Sequence, residues 1–346
     1  MENYFNINDY NQYNEINNNN IVYSIIITKK FLITSEINSL KIFDINNYKL
    51  VKILDNNDEN PNDNILIYIT LLKNSNLAYS KGNFVKILNI ENFEIKSLKG
   101  HSQMVIYVHE LKNNNLASSS FDQTIIIWEN KNNNYEIYKI LKGHKFEVSP
   151  LLEINNNLLV SSSFNEKIIK IWDLNYYINI CSIECLCTGW AETILLYNKN
   201  YLIIAGLGLY ILDLIHYKIL KHFKIENNKF IKFIKKVNNN IYLTGDGSQT
   251  SLPGNLIQWK VIKKLEWVQE KKITIHDLGI NAIIILDNNN IMITGSNDGK
   301  IKIWKKNKFK KFIYFFKSLN LNKIKWLLYL VLIINIIYIF INKYNI

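Results

Sequence analysis

Three sets of residues in this chain have the types and order that acyl-transfer chemistry uses. His101, Ser118 and Asp122 form one, and His276, Thr294 and Asp298 form a second. His144 and Ser161 begin a third, but Asn165 stands where its aspartate belongs. A hydroxyl becomes a nucleophile when a histidine takes its proton and a carboxylate orients the ring, so each set could be taken for a Ser-His-Asp site. A catalytic site needs one activated hydroxyl with its own oxyanion donors, whereas here the set recurs at equivalent positions, each time followed by a tryptophan: Trp128, Trp172 and Trp304. Recurrence favours a structural role, and no catalytic residue is assigned. The other reactive side chains, Cys181, Cys185 and Cys187 in CSIECLC, lack the second half that a four-ligand zinc site requires. They read as buried core thiols, with no metal site.

The elements that carry these residues are copies of one line. LASSSFDQTIIIWE (116–129), LVSSSFNEKIIKIWD (159–173) and MITGSNDGKIKIWK (292–305) repeat it closely. Before each copy stand a histidine, an aliphatic residue four places on (Val105, Val148, Ile280) and an Asn triplet suited to a turn. Looser copies end at Phe43, Leu88, Leu212 and Trp259. With the three tryptophans these make seven marks at spacings of 45, 40, 44, 40, 47 and 45 residues. Self-similarity at that period indicates a propeller of four-stranded blades. Short runs such as IVYSIII, KFLIT and SLKIF, bounded by Asn, Lys and Ser, suit strands rather than helices. A lone four-stranded sheet buries one face, so radial stacking of blades supplies the continuous core.

The Gly-His pair, the Ser/Thr-rich strand, the Asp turn and the Trp strand resemble the WD-repeat family, although Trp172-Asp173 is the only literal WD pair. The resemblance covers about residues 21–316 and is strongest in blades three, four and seven. It implies an all-β fold, a seven-bladed β-propeller that binds protein partners and has no cofactor and no small-molecule substrate. It also implies a hydrogen-bonded chain within a blade: His101, Ser118, Asp122 and Trp128 in blade three, and His276, Thr294, Asp298 and Trp304 in blade seven. Blade four offers His144, Ser161 and Trp172, but with Asn165 and a turn one residue longer its chain is expected to be incomplete. For the fourth strand of blade seven the sequence points to KKFIYFF from Lys310 rather than to the N-terminal NYFNI. Residues 1–20 then form a polar, Asn-rich lead ahead of a propeller at 21–316.

The formal charge of +12 is concentrated at one end. From Gly299 onward there are eleven lysines and no acid, so residues 1–298 carry 30 lysines against 29 acids, a net of +1. All 41 cationic residues are lysine, and without the arginine fork an Arg-cluster reader of phosphate or guanine is disfavoured, so nucleic acid is not an expected partner. A basic linker (317–325) leads to WLLYLVLIINIIYIFI (326–341), followed by a short tail (342–346). As a helix at about 1.5 Å per residue this run falls short of a hydrocarbon core of roughly 30 Å. Snorkelling of the flanking Lys323, Lys325 and Lys343, with Trp326 at the boundary, closes much of the gap. The run reads as a transmembrane helix, with a segment buried on protein or lying at the interface as the alternative. Eight lysines from Lys305 to Lys325 against Lys343 beyond the run favour a cytosolic propeller. The acidic, polar start MENYFNINDYNQYNE has no apolar signal core. The expected localisation is an intracellular membrane, the alternative a soluble cytoplasmic protein.

Binding is expected where the repeat breaks. Asp246 and Trp259 are 13 residues apart, against 6 for Asp122 and Trp128, so SQTSLPGN is inserted between the second and third strands. Asp246, Ser248, Gln249 and Pro253 are candidate contacts there. In the loop between blades one and two, Asp55, Asp58, Glu59 and Asp63 are candidates, and family topology places both loops on one face. Loops also drift without consequence, so both readings stand. The function expected is a non-catalytic scaffold, tail-anchored with its propeller in the cytosol. Alternatives are a regulatory propeller resembling the tail-anchored exchange factors of vesicle-coat GTPases, on architecture alone, or a soluble adaptor subunit of a larger complex.

Overall fold

A computed structural model describes residues 5–307, apart from 19, 37, 56–67, 155–156, 164, 186–192, 226–229, 247–251, 264 and 287–288. The described chain forms seven four-stranded antiparallel sheets, and each of the seven sequence marks falls on the third strand of its own sheet. Blade three shows the plan: Val105–Glu110 lies innermost, followed by Leu116–Ser120, Ile125–Lys131 and Asn134–Leu141. Its second strand is buried throughout, whereas its fourth shows mostly exposed residues, because only the outermost strand lacks neighbouring blades on both faces. The Asn triplets serve as turns. Asn114, Asn157 and Asn289 have φ of 68°, 56° and 69°, the left-handed region that asparagine tolerates better than most residues.

Seven apolar clusters hold the ring, one at each junction between consecutive blades. Between blades four and five, for example, Ile169 and Ile171 meet Leu202, Ile204 and Leu212. Between seven and one, Ile293, Ile301 and Ile303 meet Val22, Leu32 and Phe43. The core is thus a circle of interfaces, each joining two sheets that could not bury both faces alone.

The circle is closed by a strand the sequence does not advertise. Tyr10–Asn17 takes the outer place of blade seven, antiparallel to Lys300–Lys306, in register from Tyr10 opposite Lys306 to Asn17 opposite Lys300. This corrects two expectations. Residues 1–20 are not merely a polar lead, and the outer place assigned to the run beginning at Lys310, which lies outside the described residues, is already taken. The described part of NYFNI does contribute, though as a wedge rather than a strand: Phe5 and Ile7 join Tyr10 in the cluster between blades six and seven. There the Ile7 N–H donates to Gln258 Oε1 at 3.0 Å, and Gln258 Nε2 donates to the Phe5 carbonyl at 3.4 Å. YNQYNEIN carries little strand signal because its only aliphatic residue is Ile16; an outermost strand is held by its backbone ladder and needs few apolar side chains.

Removing residues 1–17 should therefore uncover the edge of Lys300–Lys306 and take three apolar side chains out of the core. At about 2 to 5 kcal/mol for each large buried side chain lost, urea denaturation should show a much weakened or unfolded chain, whereas removal of 308–346 should leave the midpoint nearly unchanged. The opposite ranking of the two truncations would contradict closure by the N-terminal strand.

Candidate functional site

The three His-hydroxyl-carboxylate sets assemble as pairs at hydrogen-bond distance. In blade three His101 Nδ1 lies 2.8 Å from Asp122 Oδ2 and Nε2 lies 2.8 Å from Ser118 Oγ, which accepts Trp128 Nε1–H at 2.8 Å. Blade seven repeats this with His276, Asp298, Thr294 and Trp304 at 2.9, 2.8 and 3.0 Å. The distances match a nucleophile-base-orienter arrangement, but Ser118, Ser161 and Thr294 have no exposed surface and each also accepts a tryptophan N–H. No substrate carbonyl can approach such an oxygen. What these groups do is cross-link a blade: the histidine precedes the inner strand, the hydroxyl lies on the second, the carboxylate on the following turn and the tryptophan on the third. Gly100 completes the fit, because a Cβ there would lie 2.8 Å from Trp128 Cη2 and 2.9 Å from Ile137 Cδ1.

Blade four is complete, contrary to expectation. Glu166 supplies the carboxylate, with Oε2 at 2.7 Å from His144 Nδ1, while His144 Nε2 lies 2.7 Å from Ser161 Oγ. Counting forward from the serine leads to Asn165. Counting back six residues from the tryptophan leads to Asp122, Glu166 and Asp298 alike, and that register would have found it. The residue after each has a left-handed backbone, Gln123 at φ 71°, Lys167 at 56° and Gly299 at 73°, so the extra residue of blade four is absorbed upstream of the carboxylate. Burial pushes the His144 imidazole down to about 4, with the hydrogen bond to Glu166 opposing it. Near neutral pH the uncharged ring thus donates Nδ1–H to Glu166 and accepts the Ser161 hydroxyl, whose oxygen accepts Trp172 Nε1–H. In blade three burial raises the Asp122 carboxyl, but hydrogen bonds from His101 and Thr124 outweigh it and hold the group well below the ordinary range.

The candidate partner-binding residues fare differently. Asp246 is buried at 2 % exposure, and Asn255 donates to it from both N–H and Nδ2 at 2.6 Å. It is not displayed to a partner, which corrects its assignment. Asn255 lies four residues before Trp259, as Thr124 lies four before Trp128, and the Thr124 N–H donates to Asp122 in the same way. The base of the blade-six insertion is therefore clamped as an ordinary turn. Trp259 Nε1–H still donates to Thr244 at 2.9 Å. Pro253 is exposed beside this clamp, and Asp55 ends the outer strand of blade one. Ser248, Gln249, Asp58, Glu59 and Asp63 lie outside the described residues, as do Lys323, Lys325, Trp326 and Lys343 with the apolar run. Among the described residues no helix is long and apolar enough to cross a membrane, and no group of three metal-ligating side chains is present. Cys185 is buried and disulfide-bonded, which corrects the expectation of a free core thiol, while Cys181 is free.

Comparison with known proteins agrees with this architecture. The WD domain, G-beta repeat family matches residues 92–129 and 267–305. Those stretches include Trp128 and Trp304 on the third strands of blades three and seven. The fold is similar to a chain in a crystal structure of the mitotic checkpoint complex, with a TM-score of 0.73 at 14 % identity over 86 % of this chain and 95 % of that one. It is also similar to the WD40 β-propeller domain of Doa1, with a TM-score of 0.69 at 13 % identity over 86 % and 97 % of the two chains. A comparison with curated proteins finds no match. The chain thus carries WD40 repeats at these two stretches and folds as a seven-bladed propeller.

Replacing Glu166 separates the two readings of blade four. Glu166→Ala leaves the buried His144 N–H without an acceptor and should cost about 1 to 3 kcal/mol in urea denaturation. Asn165→Ala should change stability by less than about 0.5 kcal/mol, as a substitution outside such a network does. Equal effects would show that the carboxylate is not part of the strut.

Proposed function

We propose that this protein is a non-catalytic protein-interaction scaffold, held by its C-terminal apolar run to an intracellular membrane with the propeller on the cytosolic side. The observation that carries the scaffold reading is the burial of Ser118, Ser161 and Thr294: the side chains best suited to chemistry are spent inside the fold. The surface we assign to a partner is the end where the inner strands begin, next to Asp55 and Asp246 at the edges of the two irregular stretches of sequence. One structurally similar chain comes from a multi-protein checkpoint complex, which favours protein partners here as well. The tether rests on the sequence, in the sixteen apolar-rich residues at 326–341 with lysines concentrated on their N-terminal side.

Full-length protein and a form lacking 326–346 can be compared in cells by alkaline carbonate extraction and proximity labelling. The full-length form should stay with the membrane pellet and label membrane proteins. The shortened form should leave the pellet and lose those neighbours while keeping its other partners. Release of the full-length form by carbonate would refute the tether, and loss of every protein neighbour in both forms would refute the scaffold.

A further inference from the structure

Residues at the start of all seven inner strands meet around one axial cavity, so every inner strand begins at one end of the ring and finishes at the other. Antiparallel order then places the turns between first and second strands, and those between third and fourth, at the far end, opposite the surface assigned to a protein partner. That far end carries the most exposed large apolar side chains among the described residues, Tyr176 at 75 % and Ile215 and Ile262 at 59 % each. All three stand where the third strand passes to the fourth, in the consecutive blades four, five and six. Single exposed apolar residues are ordinary, but these recur at one kind of turn along one rim.

The fold does not require them there. Blades one, two, four and five build this turn alike: Asp44, Asn89, Asp173 and Asp213 each accept the N–H two residues on at 2.6 to 2.9 Å, and Tyr48, Phe93, Tyr177 and Tyr217 close it in the left-handed region. At its tip blades one and two place Asn46-Asn47 and Glu91-Asn92, whereas blades four and five place Asn175-Tyr176 and Ile215-His216. In blade six the third strand runs four residues past Trp259, against one past Trp172 in blade four, and ends on the exposed Ile262 and Lys263.

Charge on this end is also uneven. Its described turns expose Lys29, Lys30, Lys49, Lys73, Lys112 and Lys199 against two exposed acids, Glu91 and Glu94, both in blade two. Near the apolar tips the exposed Lys218, Lys236 and Lys263 begin or end strands at the same end, and Glu266 is the exposed acid paired with Lys263 in the ladder. The described chain leaves the ring here too: Asn307 follows the third strand of blade seven, beside blade six, and its N–H donates to the Asp9 carbonyl at 2.8 Å. Eighteen residues separate Asn307 from Trp326, a reach of at most about 60 Å, so a tether alone leaves the ring free to turn and its own surface decides which end meets a bilayer.

We infer that the rim of blades four to six docks on an anionic phospholipid bilayer, with Tyr176, Ile215 and Ile262 among the headgroups and the neighbouring lysines on the lipid anions. This rests on the tether reading and turns the partner-binding end toward the cytosol.

For the test, the full chain is reconstituted into vesicles of phosphatidylcholine alone or with one-third phosphatidylserine. Each preparation holds a trace of phosphatidylcholine with a photoactivatable diazirine near the head of its acyl chain, and labelled peptides are mapped by mass spectrometry. With phosphatidylserine, peptides spanning 174–178, 214–218 and 259–263 should be labelled roughly threefold or more above those of the opposite end, such as 121–125, and the excess should fall at high salt. Lys199→Gln, Lys218→Gln, Lys236→Gln and Lys263→Gln combined should remove the dependence on phosphatidylserine. Equal labelling of both ends, stronger labelling of the opposite end, or rim labelling indifferent to phosphatidylserine would each overturn the inference. The two vesicle compositions on the unaltered chain decide the matter even if the variant fails to fold. Labelling confined to the C-terminal run would show the rim wrong and the tether right, and labelling nowhere in the chain would refute both.

Discussion

The whole ring depends on one antiparallel ladder, in which Tyr10–Asn17 pairs with Lys300–Lys306. Every other blade takes its four strands in sequence order, so its sheet forms from local hairpins. Blade seven alone must recruit a strand from the far end of the chain. In an open row of repeats the two end repeats each leave an apolar face uncovered, and a stack of sheets tolerates that poorly. Closure removes both ends together: the ladder completes blade seven, and the Val22 N–H then donates to the Ser296 carbonyl at 3.1 Å where blade one docks on it. The wedge of Phe5 and Ile7 fastens the same segment to blade six, so the N-terminal residues hold two junctions rather than one.

Within that ring the buried polar residues follow one requirement, that every group enclosed with the tryptophan should have a partner. Blades three and seven meet it with aspartate, and blade four meets it with a glutamate one residue later in a longer turn. Blade six meets part of it with Asn255 between Asp246 and Thr274, whose hydroxyl donates to Asn255 Oδ1 at 2.7 Å. Blade one uses different chemistry, an ion pair of 3.0 Å between Lys41 and the fully buried Glu36. A buried polar cross-link thus recurs in these five blades while its atoms change. Blades that look degenerate by motif need not be loose by structure.

The same contrast explains what could be read in the sequence. The seven marks, the strand order within blades and the structural role of the histidines were legible because apolar periodicity and self-similarity report them directly. Glu166 was hidden by counting from the serine, across the one place where the turn length varies. Asn255 was hidden because it stands at the position of Thr124, and only the fold shows its backbone and amide N–H groups holding Asp246. The closing strand was hidden for a different reason: YNQYNEIN is held by main-chain hydrogen bonds, and those leave no mark on side-chain chemistry.

If the ring is locked by its first strand, that strand should open only when the propeller opens. Native-state hydrogen exchange followed by mass spectrometry tests this directly on the intact chain. The account predicts that amides of 11–17 exchange as slowly as those of 291–296 and 300–306, with all three segments released together as denaturant is added. Rapid exchange across 11–17 while 291–296 and 300–306 stay protected would show that the ring holds without this strand, and would contradict the account.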